Sequence, residues 1–155
     1  MRVTTYRTRL TENQRVVLEK EISVNRPEVS IIRSPQNVAE FATGYLTMHK
    51  LPEEYLYMVC LNTKNKIIGV FELSHGSVNS SIIGVREIFQ KALLANAVSV
   101  ILMHNHPSGD CTPSPEDIVV TERVVEAGKI VGIDLLDHII IGHGCFTSLK
   151  EKGYI

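Results

Sequence analysis

A short, largely apolar run, VSVILM at residues 98–103, constrains the fold of this chain more than any other feature. A strand that is apolar on both of its faces is typical of the interior of a sheet that helices cover on both sides. Apolar residues recur at helical spacing just before and just after this run, in VREIFQKALLANA and SPEDIVVTERVVEAGKIVG. The pattern therefore predicts an α/β fold in which helices flank a central sheet.

The other segments extend this pattern without a linker or an internal repeat. A helix is predicted from Pro35, because Ser34 is a good capping residue and proline suits the first helical position. The runs EYLYMVCLN and KIIGVFELS, separated by TKNK, predict a hairpin, and HGSVNSSIIG is typical of a loop. DLLDHIIIG predicts another strand and CFTSL a short last one. This order of elements predicts a single α/β domain with a mixed central sheet.

The first residues of the chain carry a weaker pattern than the rest. We divide the chain into an N-terminal arm, residues 1–33, and a domain, residues 34–155. Within the arm, TENQRVVLEKEISV is expected to begin a helix at Thr11. We assign no function to the arm.

Charge and cysteine content narrow the class of protein. Lys and Arg number 16 and Asp and Glu 17, which leaves a net charge of -1 and makes nucleic acid or a membrane an unlikely partner. The odd number of cysteines, without C-x-x-C spacing, argues against a disulfide framework. No apolar run reaches the roughly 18 residues of a membrane span, and the N-terminus lacks the apolar core of a secretion signal. We therefore expect a soluble protein of the cytoplasm.

The segment HNHPSGDCTPSPED, residues 104–117, holds the side chains most suited to chemistry. One interpretation is structural: Ser114 caps a helix that starts at Pro115, after a turn. The other is a metal site, because His104 and His106 lie two positions apart on an extended chain and point to the same side. Asp117, in the first turn of the next helix, can then supply a third ligand. Two nitrogens and one oxygen leave the fourth position of Zn²⁺ for water, as a catalytic zinc site requires.

Further residues would be needed around such a site. Zinc lowers the pKa of bound water from 15.7 to about 7, and a general base must collect the proton. Glu53 and Glu54 precede the first strand of the hairpin, although a pair of acids there is usually a solvated edge. His138 and Ser108 are candidates for hydrogen bonds that support the ligands or their loop. At the level of these residues, the metal site and the capped turn both stay open.

A resemblance to known proteins favours the metal site. The spacing H-x-H-P-x6-S-x2-D, met by His104, His106, Pro107, Ser114 and Asp117, resembles the signature of JAMM (MPN+) metalloproteases. The segments REIFQKALLANA, HNHPSGD, PSPEDIVVTERV, GIDLLDHIIIG and SLKEKGYI resemble the bacterial RadC family, over about residues 50 to 155. The resemblance implies a deaminase-like JAMM fold that binds Zn²⁺ through His104, His106 and Asp117. It also implies hydrolysis of peptide or isopeptide bonds in a peptide or protein substrate.

The resemblance implies catalytic roles as well. The family's glutamate corresponds to Glu54, with Glu53 as the alternative if the register is off by one, and it would act as general base toward a zinc-activated water. Ser114 would donate to the developing oxyanion, in addition to capping the helix.

Two features depart from the family, and two other functions remain open. RadC proteins usually carry an additional N-terminal helix-hairpin-helix region, whereas only about 50 residues precede the similar part here, so we carry over no DNA-binding role. The family commonly has His-Pro before the RE helix, where this chain has Gly84 and Val85. The alternatives are a metal-dependent nuclease or DNA-repair-associated factor and a non-catalytic zinc-binding interaction module. The zinc nucleobase deaminases are disfavoured, because their H-x-E and P-C-x-x-C pattern is missing.

Overall fold

A computed structural model describes residues 2–25, 31–76 and 84–155. Its strands are β1 (Arg2–Leu10), β2 (Val16–Asn25), β3 (Tyr55–Leu61), β4 (Ile67–His75), β5 (Ser99–Asn105), β6 (Asp134–Ile141) and β7 (Phe146–Ser148). Its α-helices are α1 (Pro35–Gly44), α2 (Val85–Leu94) and α3 (Pro115–Val131), and a short 3-10 helix, Met48–Lys50, precedes β3.

The strands form one sheet in the order β2-β1-β4-β3-β5-β6-β7. The pairs β1–β4 and β5–β6 are parallel, and the pairs β1–β2, β3–β4, β3–β5 and β6–β7 are antiparallel. The prediction of a single α/β domain with a mixed sheet is therefore confirmed. Every residue of β5 is buried, and this strand holds the apolar run apart from its first residue, Val98, which is exposed.

The helices cover both faces of the sheet, as predicted. α1 packs on one face through Val38, Phe41 and Ala42, against a layer that includes Ile101 and Met103 of β5. On the other face, α2 and α3 pack against the alternate residues of the same strand; this second layer includes Ile88, Phe89, Val120, Val124, Val100 and Leu102. Alternation along β5 thus assigns each residue to one face, and the α2–α3 face is the one on which His104 lies.

The predicted helix starts are confirmed. The Ser34 hydroxyl accepts a hydrogen bond from the Asn37 N–H at 3.3 Å, and Pro35 occupies the first turn of α1. Ser114 caps α3 in the same way, and that helix ends at Gly132, whose φ of 77° is in the left-handed region that glycine favours. The predicted hairpin is the antiparallel pair β3–β4.

The helix expected at Thr11 is wrong, because this part of the chain forms a hairpin. Thr11 lies in the turn between β1 and β2, where its N–H donates to the Arg15 carbonyl at 2.9 Å and its hydroxyl accepts from the Arg15 N–H at 3.1 Å. Glu19 of β2 forms ion pairs with Arg7 and Arg9 of β1 at 2.7 and 3.0 Å. Pairing across the hairpin therefore outweighs the local helical spacing.

The hairpin joins the rest of the sheet through β1. Thr5 pairs with Val70 of β4, Val3 is 1% exposed, and the ring of Tyr6 stacks on Phe71 with centroids 5.9 Å apart. The division at residue 34 stays a prediction. The expected loop HGSVNSSIIG falls largely on residues 77–83, outside the described ranges. Within those ranges, none of the helices has the length and apolar character needed to cross a membrane.

Candidate metal centre

The carboxyl end of β5 brings the two histidines together. His104 is the penultimate residue of the strand, and the His106 N–H donates to the Ile141 carbonyl of β6 at 2.9 Å, which keeps the chain extended past the strand end. The two imidazoles lie edge to face with centroids 4.8 Å apart. The expectation that both rings point to one side of the strand is therefore confirmed.

The first turn of α3 supplies the carboxylate. The Ser114 hydroxyl accepts from the Asp117 N–H at 3.1 Å, while Asp117 Oδ2 accepts from the Ser114 N–H at 2.8 Å. This capping box holds Asp117 over the end of β5. Asp117 Oδ1 then lies 2.9 Å from His104 Nδ1, and Oδ2 lies 3.3 Å from His106 Nε2.

The electrostatics of the three side chains match a site for a cation. Burial by itself raises the pKa of Asp117, but contacts with His104 and His106 outweigh it and hold the pKa of this carboxyl well below its usual range. Contact with Asp117 in turn raises the pKa of His106, against the opposing effect of burial. Asp117 is therefore an anion at neutral pH, with two nitrogen donors beside it.

The donor set fits Zn²⁺. One ligand atom from each of His104, His106 and Asp117 can be chosen so that all three lie within 4.8 Å of one another. Ligand atoms around a tetrahedral zinc are about 3.3 Å apart, so a small side-chain adjustment would close them on an ion. His104 Nε2 is buried and has no hydrogen-bond partner in the described part of the chain, so this nitrogen is free to bind an ion.

The structure places Glu54, rather than Glu53, beside the three ligands. Glu54 Oε2 is 3.9 Å from His104 Nε2, and the Glu54 side chain is 35% exposed. Glu53 is exposed, and its carboxylate lies near Gly76 at the end of β4. Glu54 is thus close enough to the cluster for proton transfer through one water, and solvent can reach it.

Ser114 lies next to the ligands, with its hydroxyl already engaged. Its Oγ is 2.7 Å from Asp117 Oδ2, in addition to accepting from the Asp117 N–H. The capping role expected for Ser114 is confirmed. A role toward substrate stays a prediction.

His138 lies behind the cluster on β6. It is 1% exposed, and its ring is nearly parallel to that of His104 with centroids 6.2 Å apart. Its Nδ1 is 2.7 Å from the Thr121 hydroxyl, which also donates to the Asp117 carbonyl at 2.6 Å. Burial lowers the pKa of His138 to about 3, so the ring is neutral. Sequence analysis missed Thr121, although its position four residues after Asp117 on α3 was a signal.

The loop between the histidines and α3 is held by its own contacts. The His106 Nδ1 atom is 2.9 Å from the Asp110 carbonyl, which helps to orient the ring. Ser108 is exposed and accepts from the Asp110 N–H at 3.4 Å, so its hydrogen bond stays within the loop and does not reach a ligand side chain.

A disulfide between Cys111 and Cys145 ties this loop to the turn before β7. The Gly109 carbonyl accepts from the His143 N–H at 2.8 Å, and a Cβ at Gly142 would collide with that carbonyl. The cysteine pattern argued against a disulfide framework, and this single cross-link departs from that expectation. The third cysteine, Cys60, is buried and unpaired.

Comparison with known proteins agrees with the geometry. A family model described as the RadC-like JAB domain matches residues 32–154. The chain is 49% identical over 137 residues to a UPF0758 protein of Shouchella clausii, an alignment covering 88% of this chain and 57% of that protein. It is 47% identical over 135 residues to a UPF0758 protein of Methanosarcina barkeri, covering 87% and 58%. It is 52% identical over 125 residues to one of Bacillus licheniformis, covering 81% and 55%.

The matched part thus spans a little over half the length of these relatives, and their names state no activity. The family model covers most of the chain and includes all three candidate ligands and Glu54. This chain therefore belongs to the RadC family and carries its JAB-type domain.

Proposed function

We propose that this chain is a zinc-dependent hydrolase of peptide or isopeptide bonds. The observation that carries the proposal is the position of a partly exposed carboxylate, Glu54, 3.9 Å from His104 on the edge of the His104–His106–Asp117 cluster. A metal cluster that served only structure would have its coordination closed by protein. Three candidate ligands would leave a fourth coordination position for a water, and Glu54 lies beside the cluster.

The residues divide the reaction among them. Zinc would lower the pKa of a water from 15.7 to about 7 and polarise the scissile carbonyl. Glu54 accepts one proton from the water as the water oxygen attacks the carbonyl carbon. Glu54 then gives that proton to the amine nitrogen as the C–N bond breaks. The Ser114 hydroxyl, which donates to Asp117 Oδ2 in this structure, would turn to donate a hydrogen bond to the developing oxyanion. Buried and neutral, His138 keeps His104 in place through ring packing.

The proposal extends to substrate and location. A peptide or protein substrate suits an amide-hydrolysing site that opens to solvent at Glu54. The net charge of -1 gives no general attraction for nucleic acid. The cytoplasm is the proposed location, and there the Cys111–Cys145 pair would be cross-linked only under oxidising conditions.

The test separates metal binding from chemistry. Zinc per chain is measured by elemental analysis of protein prepared without chelator, and hydrolysis is followed with internally quenched peptides and with peptides joined through a lysine side-chain amide. Glu54→Gln should keep one zinc per chain and lose hydrolysis by about 100- to 10,000-fold, because the amide cannot accept the proton. Glu53→Gln, a change of the exposed neighbour, should behave as the wild type.

The other outcomes point to the alternatives. Protein without bound transition metal contradicts the proposal at its first step. DNA cleavage that survives Glu54→Gln but not His104→Ala would indicate a nuclease. Bound zinc without hydrolysis of either peptide set, in wild type and Glu54→Gln alike, would indicate a non-catalytic interaction module.

A further inference from the structure

We infer that Asn105 is a positioning residue for Glu54: its side chain holds the main chain on both sides of that glutamate and so aims the carboxylate at the metal ligands. This inference rests on the proposed function, since it concerns how the proposed base is held. Asn105 lies between the two histidines, and alternation along β5 turns its side chain to the opposite face of the sheet. It is 2% exposed, so its amide must find partners within the protein.

Both partners of Asn105 flank Glu54. Its Oδ1 accepts from the Tyr55 N–H at 2.8 Å, and its Nδ2 donates to the Glu53 carbonyl at 2.9 Å. One planar amide thus binds the peptide groups immediately before and after the glutamate. The contact is long-range in the sequence, since 50 positions separate Tyr55 from Asn105.

The side chain acts at the end of the strand ladder. Leu56 pairs with His104 at this end of the β3–β5 ladder, and the Asn105 side chain adds hydrogen bonds to the chain just before Leu56. On the other side of β3, the Glu54 carbonyl accepts from the N–H of Gly76, the residue just after β4, at 3.0 Å. The main chain at Glu54 is therefore fixed from both neighbouring strands.

The position of the backbone at Glu54 matters because few contacts hold the Glu54 carboxylate itself. Among the described residues it makes no hydrogen bond, and its ion-pair contact is the 3.9 Å approach to His104 Nε2. The direction in which the side chain leaves the main chain then decides how often the carboxylate lies beside the ligands. A displacement of about 1 Å in a reacting group can lower a rate about 100-fold.

Asparagine suits this position through its chemistry. It presents one acceptor and one donor in a single plane, as the Tyr55 N–H and the Glu53 carbonyl require. Aspartate would keep the acceptor but bring a second oxygen against the Glu53 carbonyl. Alanine removes both contacts and leaves the metal ligands unchanged.

A spectroscopic experiment tests the inference without relying on turnover. The ¹³Cδ resonance of Glu54 is followed in protein labelled at glutamate, and it is assigned by its absence in Glu54→Gln. In the wild type we expect it to shift when Zn²⁺ is added, because the carboxylate lies beside the ligands. In Asn105→Ala most of that shift should be lost, although the protein still takes up one zinc per chain.

Asn62→Ala is the matched control. Asn62 also ties the main chain, accepting from the Lys64 and Lys66 N–H groups at 2.9 and 3.1 Å, but at the opposite end of β3. It removes two backbone contacts, as Asn105→Ala does, and should leave the zinc-induced shift of Glu54 intact. Asn105→Asp should resemble Asn105→Ala, because the donor to Glu53 is missing.

Each outcome bears on a different claim. If Asn105→Ala binds zinc and shows the full wild-type shift, the positioning role is overturned while the proposed function stands. If the wild-type resonance does not move with zinc, Glu54 is not at the metal, and both claims fail.

Where a hydrolysed peptide is found, kcat should fall about 10- to 100-fold in Asn105→Ala at nearly constant KM. That loss should disappear in the Glu54→Gln background, and an additive loss would contradict action through Glu54.

Discussion

At the scale of the residue, Asp117 connects the fold to the metal centre. Its carboxylate closes the capping box with Ser114 and also contacts both histidines. A buried carboxylate in such a network is stabilised as an anion only while its partners remain. The same group therefore caps the start of α3 and is a candidate ligand for a cation at the end of β5.

Asp117→Asn should weaken zinc binding more than about 100-fold, because the variant loses the anionic ligand. Residues that only support a ligand typically cost about 10- to 100-fold in affinity, so the loss at Asp117 should be larger. Competition with a chromophoric chelator measures the affinity. Glu116→Gln, at the exposed neighbouring acid in the same turn, is the matched control and should bind zinc as the wild type does. Equal affinity in the two variants would remove Asp117 from the ligand set.

His138 predicts a pH dependence of stability. The unfolded chain takes up a proton near the ordinary value of 6.5, whereas the folded protein resists it because burial lowers the pKa to about 3. Protons therefore favour the unfolded state, and this contribution lowers the free energy of unfolding as the pH falls from 6.5 toward 3. At about pH 5 the loss is roughly 2 kcal/mol.

Urea unfolding of metal-free protein at several pH values measures this effect. His138→Gln should flatten the decline between about pH 7 and pH 5 relative to the wild type, since it removes a buried group that takes up a proton in this range only on unfolding. An unchanged pH dependence in the variant would show that His138 is not held neutral by burial.

At the scale of the element, the junction between β5 and α3 builds the centre from short-range patterns. Strand alternation sets the two histidines on one face, and the S-x-x-D capping box returns Asp117 to them. Each pattern is encoded within a few residues, and this is why the grouping of His104, His106 and Asp117 and the helix starts could be predicted from the sequence.

Other features could not be predicted, because distant parts of the chain decide them. The region after Thr11 has helical spacing, but pairing with β1 makes it a strand. Asn105 gives no local signal, since its partners lie some 50 residues earlier in the chain. The resemblance favoured Glu54 over Glu53, but the position of Glu54 beside the cluster depends on the register of β3 against β5, which the assembled sheet defines.

Ser114→Ala tests the two roles of the α3 cap. Loss of the cap should lower the free energy of unfolding by about 1 kcal/mol, and loss of the oxyanion donor should lower kcat further, by about 100-fold. Ser114→Thr keeps a hydroxyl and should retain most of both properties. Chemical denaturation measures the free energy of unfolding, and kcat is measured with any of the test peptides that the wild type hydrolyses. A stability loss with unchanged kcat would leave Ser114 as a cap alone.

At the scale of the whole molecule, the loop between β5 and α3, residues 106–114, is attached to the sheet at two points. Its N-terminal side hydrogen-bonds to β6 through His106, and its middle is joined to the turn before β7 by Cys111 and Cys145. The cross-link closes a loop of the chain with a sequence separation of 34. The hydrogen bond and the disulfide thus fix the position of the loop that carries His106, one of the three candidate ligands.

Thiol titration tests this cross-link. Protein purified without reductant and unfolded in denaturant should show one reactive thiol, Cys60, against three after reduction. Reduction should lower the free energy of unfolding by about 4 kcal/mol, as expected for a loop of this length. Cys111→Ser should still bind zinc, since neither paired cysteine is a proposed ligand. Three thiols before reduction would contradict the pairing.

The central claim is that the end of β5 and the first turn of α3 together hold a catalytic zinc with Glu54 beside it. Anomalous diffraction at the zinc edge, from crystals of zinc-replete protein, tests it most directly. We expect one peak about 2.0–2.2 Å from a nitrogen of His104, a nitrogen of His106 and an oxygen of Asp117, with one open position facing Glu54. No peak between those three side chains, or a fourth protein ligand in the open position, would contradict the account.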